Sequence, residues 1–242
     1  MRDFDAEAAA LPVLEFDRLM HGYMMREFEP WLQGRCALEL GCFEGGMTRL
    51  IRNRFPALMV VDASDRCIQI ARQRLGSEQA YFIHSTFETV DFKDAKFDSV
   101  FLIHSLEHIE DPIAVLRRAK EWLAPEGRLL LAVPNGDAAS RQIAVHMGLV
   151  ASPLAVTEAE AAHGHMRTYD HSMLESQARF AGLKILKSGG ILFKALSGAQ
   201  FDKALAAGVI DKAYLDACYE LGKELPWLCS SVYVVCGREE SF

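Results

Sequence analysis

Two groups of residues in this chain have the types and spacing that do chemistry. The first is a turn, Gly41-Cys42-Phe43-Glu44-Gly45-Gly46, followed downstream by an acid, Asp62. Glycines let backbone approach a ligand with no side chain in the way, and an ionised carboxylate accepts hydrogens from two hydroxyls at once. The second group is His104, His108 and His165. Imidazole exchanges a proton near neutral pH, so these three are the general-base candidates.

The elements around the turn say what it would hold. An apolar run over 36–40 leads into it, a helix-like segment follows, and a second apolar run over 58–61 ends at Asp62. Strand, tight turn, helix, strand and acid make half of a nucleotide-binding α/β unit, with the ligand at the carboxyl ends of parallel strands and the acid on the ribose. A dinucleotide fingerprint would need glycine at 41, 43 and 46, the middle one to admit a pyrophosphate, and position 43 is phenylalanine. Nor is there a Gly-Lys-Ser/Thr sequence to cradle phosphates. An adenosine joined through sulfur to an amino acid carries no phosphate and needs only a tight turn with exposed backbone groups. S-adenosylmethionine (SAM) fits.

The rest of the chain reads as a sheet protein with additions. Val13, Phe16, Leu19, Met20, Tyr23, Met24, Phe28 and Leu32 predict a helix over 12–33, in which His21 and Tyr23 read as packing or surface residues. Ser64 caps the next helix, strands follow over 80–84 and 98–103, and Asp111 with Pro112 starts a helix over 112–123. A turn at 124–127 leads to a fifth strand over 128–133. Helical patches at 138–147 and 157–162 then interrupt the rhythm, as a lid or substrate cap would. A helix over 171–181, strands over 183–187 and 191–194, a helical region over 200–221 and a strand over 231–236 complete it. This predicts an α/β fold: a Rossmann-like seven-stranded, mostly parallel sheet with helices on both faces, plus a helical cap. We expect one domain over 1–242, with an N-terminal helical segment 1–34, a cofactor-binding core 35–135, a cap 136–168 and a C-terminal part 169–242. Its insertion 197–226 would complete the cap, and Ile143, Met147, Leu149, Leu154 and Val156 would face the acceptor.

Composition narrows the function. Over 242 residues, 50% hydrophobic and 24% charged, there is enough apolar surface for one substantial core. The net charge of −7 lacks the basic footprint of a general nucleic-acid binder. Six cysteines without a Cys-x-x-Cys pair read as reduced thiols of a cytoplasmic protein. The acidic N-terminus is unlike a signal peptide, and no apolar run reaches membrane-spanning length.

Four segments together carry a resemblance: Leu38-Glu39-Leu40-Gly41-Cys42-Phe43-Glu44-Gly45; Val61-Asp62; Phe97-Asp98-Ser99-Val100 leading to Leu106-Glu107-His108-Ile109-Glu110-Asp111-Pro112; and Leu123-Ala124-Pro125-Glu126-Gly127-Arg128-Leu129 with Val133-Pro134-Asn135. Over 37–135 the chain resembles the class I SAM-dependent methyltransferases, in the ubiquinone-biosynthesis-type O-methyltransferase group, and Gly164-His165-Met166-Arg167 is similar to that group's Gly-His-x-Arg turn. The resemblance implies SAM as cofactor, S-adenosylhomocysteine as product, and a binding set of Glu39, Gly41, Phe43, Gly45, Asp62, Ala63, Thr86, Phe87, Ile103 and His104. Asp62 would take the ribose hydroxyls, the glycine turn and Glu39 the methionine portion, Phe87 the adenine, and backbone at 103–104 the methionine end. Two positions depart from the family: Phe43 replaces a glycine, and Thr86 an acid. Relatives build a divalent-cation site from the Glu-His pair and an acid three residues earlier, but position 104 is histidine, so no metal ligand is assigned. The run His104-Ser105-Leu106-Glu107-His108 also matches the His-x-x-Glu-His of inverted zinc peptidases; that motif needs a continuous helix, and this one starts at a strand end.

The function expected is methyl transfer from SAM to oxygen or nitrogen of a small metabolite such as a sugar, phenol or secondary metabolite. His108, His165 and His104 are the catalytic candidates. Alternatives are an RNA or protein methyltransferase and a non-catalytic SAM-binding module. The expected partner is a small methyl acceptor, without nucleic acid or membrane, and with a homodimer as the open alternative to a monomer.

Overall fold

The computed structural model describes residues 2–9, 15–76 and 80–238. Seven strands form one sheet: β1 (Cys36–Leu40), β2 (Ala57–Asp62), β3 (Tyr81–His84), β4 (Phe97–Ile103), β5 (Leu123–Pro134), β6 (Leu183–Phe193) and β7 (Cys229–Arg238), in the order β3-β2-β1-β4-β5-β7-β6. The first five run parallel, and β7 is antiparallel to both neighbours. Strand order reverses between β1 and β4, so their carboxyl ends open a crevice at a topological switch point, where open α/β sheets bind ligands.

Both sheet faces are covered, which is why the central strands are apolar on successive residues rather than alternate ones. Phe101 and Ile103 of β4 enter one core with Phe16, Met20, Met24 and Phe28, whereas Val100 and Leu102 enter the other with Val115, Leu116 and Trp122. The first of these helices is α2 (Glu15–Phe28) and the second α5 (Pro112–Trp122), whose N-cap Asp111 accepts the Ala114 amide. A short helix, α1 (Phe4–Ala9), precedes α2. Between strands lie α3 (Gly46–Arg52) and α4 (Asp65–Leu75), the latter capped by Ser64 as its sequence predicts. The later helices are α6 (Ala139–His146), α7 (Glu158–Ala162), α8 (His171–Phe180), α9 (Gly198–Ala206) and α10 (Lys212–Glu224). Among the described residues no helix is long and apolar enough to cross a membrane.

Several boundaries depart from the sequence reading. The helix expected over 12–33 stops at Phe28 and gives way to a 3-10 turn, Glu29–Trp31, where Pro30 cannot donate a helical hydrogen bond; Val13 lies outside the described residues. The turn expected at 124–127 is instead a bulge within β5, where pairing shifts between Phe97 and Ser99 of β4. The two short strands expected over 183–194 are one, continuous through Gly189 and Gly190. The helical region over 200–221 is two helices parted after Gly208, which adopts a φ of +66°.

The fate of the expected cap matters most for the site. Ile143, Met147, Leu149, Leu154 and Val156 face outward, with Met147 66% and Leu149 69% exposed. Nor does 197–226 overlie the crevice: α9 and α10 pack through Phe201, Leu215 and Tyr219 against the core around α2. Asp202 of α9 accepts the amides of Glu15 and Phe16 at 3.0 and 2.8 Å, capping α2 from another element. Both segments are amphipathic helices with an apolar face, and their sequence does not say which wall that face covers.

Candidate active site

A cavity of about 530 Å³ opens at the switch point, within the size range of small-ligand sites. One end is built by the turn after β1. Gly41 adopts a φ of +90°, and a Cβ there would come within 2.2 Å of Ser105 Oγ and 3.6 Å of the Phe87 ring. That hydroxyl donates to the carbonyls of Leu40 (3.0 Å) and Ile103 (3.2 Å), tying together the ends of β1 and β4 beneath the glycine. At the end of β2, Asp62 is pinned by three backbone amides. Its Oδ2 accepts from Cys42 (2.8 Å) and Phe43 (3.1 Å), and its Oδ1 from Ser64 (2.9 Å). Oδ2 is thereby fully engaged, and the acceptor capacity left for a ligand is on Oδ1, which has only the Ser64 amide.

The opposite end is rich in imidazole. His108 and His165 meet edge to face with ring centroids 4.6 Å apart. Burial pushes His108 down to about 3, with His165 and Arg2 adding to the effect, and burial likewise lowers His165. Both rings are therefore neutral at pH 7 and present lone pairs. Glu107 lies beside them, 2% exposed, with no hydrogen-bond partner on Oε2 among the described residues; burial raises its carboxyl to about 8. One ligand atom each from Glu107, His108 and His165 fall within 4.8 Å of one another, a carboxylate and two imidazoles suited to a divalent ion. His104 is placed differently. Its φ is +48°, its Nε2 meets Ser231 Oγ at 2.9 Å, and burial pushes it down to about 3.

Residues 16–188 match the family model described as Methyltransferase domain. The chain belongs to that family. It is a SAM-dependent methyltransferase, and SAM is its cofactor. The methyltransferase is 24% identical over 196 residues to the ubiquinone biosynthesis O-methyltransferase of Xanthomonas axonopodis pv. citri (strain 306), covering 80% of each chain. The complex between the Haloferax volcanii Trm112 methyltransferase activator and the putative methyltransferase shares its fold, with a TM-score of 0.65 at 18% identity over 99% of this chain and 100% of that one. The N-methyltransferase NodS from Bradyrhizobium japonicum WM9 in complex with S-adenosyl-L-homocysteine gives 0.60 at 14% identity, over 94% and 89%.

The methyltransferase's cavity fits its cofactor on one observation, the pinned carboxylate of Asp62 at the strand end, while Gly41 lets the cavity wall close tightly on Ser105 and Phe87. Of the residues singled out from sequence, Gly41, Phe43, Asp62, Ala63, Thr86, Phe87, Ile103, His104, His108 and His165 all line it. Glu39 and Gly45 do not. Glu39 lies under the turn, 1% exposed, and burial raises it to about 8 against the opposing effect of the Thr48 hydroxyl. Gly45 faces α4, where a Cβ would come within 2.9 Å of Leu75 and 3.1 Å of Ala71, so it serves helix packing. Phe43 occupies the family's glycine position at a φ of +45°, the left-handed region in which side chains are disfavoured. Sequence reasoning missed Ser105, met Glu107 only as half of the relatives' Glu-His pair without assigning it a role, and read His21 as a packing or surface residue. His21 lines the cavity with its Nδ1 buried and unpartnered, its ring lying on Gly46, where a Cβ would be 2.7 Å away. The polar residue amid an apolar helical face was the available signal for His21.

Proposed function

We propose that the enzyme transfers methyl from SAM to an oxygen or nitrogen of a small metabolite, such as a sugar, phenol or secondary metabolite, in the cytoplasm. One observation carries the reading: a single cavity joins the Asp62 end to the imidazole end, and each of the three arginines lining it is paired with a carboxylate. Arg2 meets Glu7 at 2.8 Å, Arg18 meets Glu15 at 3.5 Å and Arg74 meets Glu44 at 2.6 Å. Little positive charge is left for phosphates, which argues against RNA or DNA as acceptor.

When bound, SAM supplies a methyl group activated by its sulfonium. Asp62 would accept the ribose hydroxyls, the Gly41 turn would lie along the methionine portion, and Phe87 would lie against the adenine. At the other end, the neutral rings of His108 and His165 would accept the hydrogen of the acceptor's hydroxyl or amine and hold its heteroatom toward the methyl. Much of the rate in such a displacement comes from alignment. An O–H or N–H becomes strongly acidic as its heteroatom is alkylated, so a base of depressed basicity suffices at that moment. His104 is committed to Ser231 and would shape the wall.

The three-donor cluster favours a second reading, in which Glu107, His108 and His165 hold a divalent cation that acidifies an acceptor hydroxyl. The deciding assay measures S-adenosylhomocysteine formation across panels of phenols, sugars and small amines, beside total RNA and a protein lysate, each with and without EDTA. Turnover confined to a small molecule supports the proposal, and loss with EDTA that Mg²⁺ or Mn²⁺ restores selects the metal version. Turnover on RNA or protein alone would refute it.

A further inference from the structure

Across the cavity lies α1, a six-residue helix with no buried side chain. A helix this short does not hold itself together in water, so its place is set by what grips it. Both grips are polar. At the cofactor end Asp5 accepts from the Ser64 hydroxyl at 2.5 Å and the Arg66 amide at 3.3 Å, and Ser64 in turn donates its amide to Asp62. At the acceptor end Arg2, paired with Glu7, donates to the Gly164 carbonyl at 2.8 Å and to the His108 carbonyl. The turn before His165 is shaped for this contact: a Cβ on Gly164 would sit 2.2 Å from Glu7 Oε2 and 2.5 Å from Arg2 Nη2. Arg2, Phe4, Glu7 and Ala8 all line the cavity, so α1 shares its cover with His163 and His165 of the segment 136–168.

We propose that α1 is a strap that closes over bound cofactor and couples the two ends of the site, with Arg2 and Asp5 as its positioning residues. Closed, it joins the backbone beside the ribose acid to the two carbonyls that frame the imidazole pair, so filling one end orders the other. Open, it is the exit for product. Its few half-exposed hydrogen bonds are individually weak, which lets the strap release without unfolding the sheet.

The proposal rests on the cavity being the SAM site, and the test separates the two. S-adenosylhomocysteine is titrated into the intact protein and into Arg2→Ala/Asp5→Ala, its dissociation rate is measured by stopped flow, and amide exchange over 4–9 is followed with and without it. The expected results are slower exchange over 4–9 on binding and dissociation about tenfold faster in the variant, the equivalent of one or two net hydrogen bonds. The ligand-free melting temperature should stay within about 2 °C, since α1 buries no side chain. Unchanged dissociation from a variant that still binds would overturn the strap, as would a melting temperature that falls in step with affinity. No binding by the intact protein would instead remove the cofactor reading beneath it.

Discussion

Asp62 does two things with one carboxylate: it fixes the turn through the amides of Cys42 and Phe43, and it faces the cavity. Replacing it with alanine removes an acceptor from three buried or half-buried amides as well as from the ligand. We expect the affinity for S-adenosylhomocysteine, measured by calorimetry, to fall about 10- to 100-fold, the range of a charge-assisted hydrogen bond. Glu39 behaves oppositely, as a buried acid whose burial outweighs the help of the Thr48 hydroxyl. Its folded pKa of about 8 lies above the unfolded carboxylate value, so stability is fully present below about pH 4.5 and lost as pH rises through 8. Glu39→Gln should therefore melt higher than the parent by a margin that grows between those limits and then levels off, read by thermal scans across the range. The place of Asp62 at the cavity was legible because an acid closing an apolar run at a nucleotide-type unit sits at a strand's carboxyl end. Glu107 was only half legible: the Glu-His pair stood out, but with histidine at 104 the sequence did not show that His165 would bring the third donor from a distant turn.

The strands and helices themselves were largely legible, since their signals are local: apolar runs, Ser64 and Asp111 as caps, Pro112 at a first turn. Less legible were features decided by distant partners. Gly190 shows why. Its absent side chain makes room for the Pro226 carbonyl, only 2.0 Å from where a Cβ would stand, so β6 passes unbroken through what reads locally as a turn. Gly190→Ala should cost about 3 kcal/mol of stability in denaturant unfolding, because the opposing atom is backbone and cannot step aside. The cap shows the same limit: the apolar stripes of 138–156 and 197–226 were visible, but the wall each one faces is a property of the assembled fold.

For the molecule as a whole, charge and surface make their own predictions. With a net charge of −7, the enzyme should not measurably retard total RNA in a gel-shift assay at 0.15 M salt. Ile143 and Met147 are exposed and do not line the cavity, so Ile143→Ser/Met147→Gln should leave turnover and melting within error of the parent, a change of about 0.5 kcal/mol or less. If activity falls instead, 136–168 reaches the acceptor after all. The strand order β5-β7-β6 has a consequence in time. β6 touches the sheet only through β7, and β7 pairs with β5 across about a hundred residues, Leu129 opposite Cys236. On the ribosome, β5 therefore stands with one edge unpaired while everything through α10 is made. The finished β6 has no strand to join until Arg238 has cleared the exit tunnel. During synthesis the vulnerable species is a five-stranded intermediate with an apolar edge, and chaperone demand should be set by the interval between the emergence of β5 and that of β7.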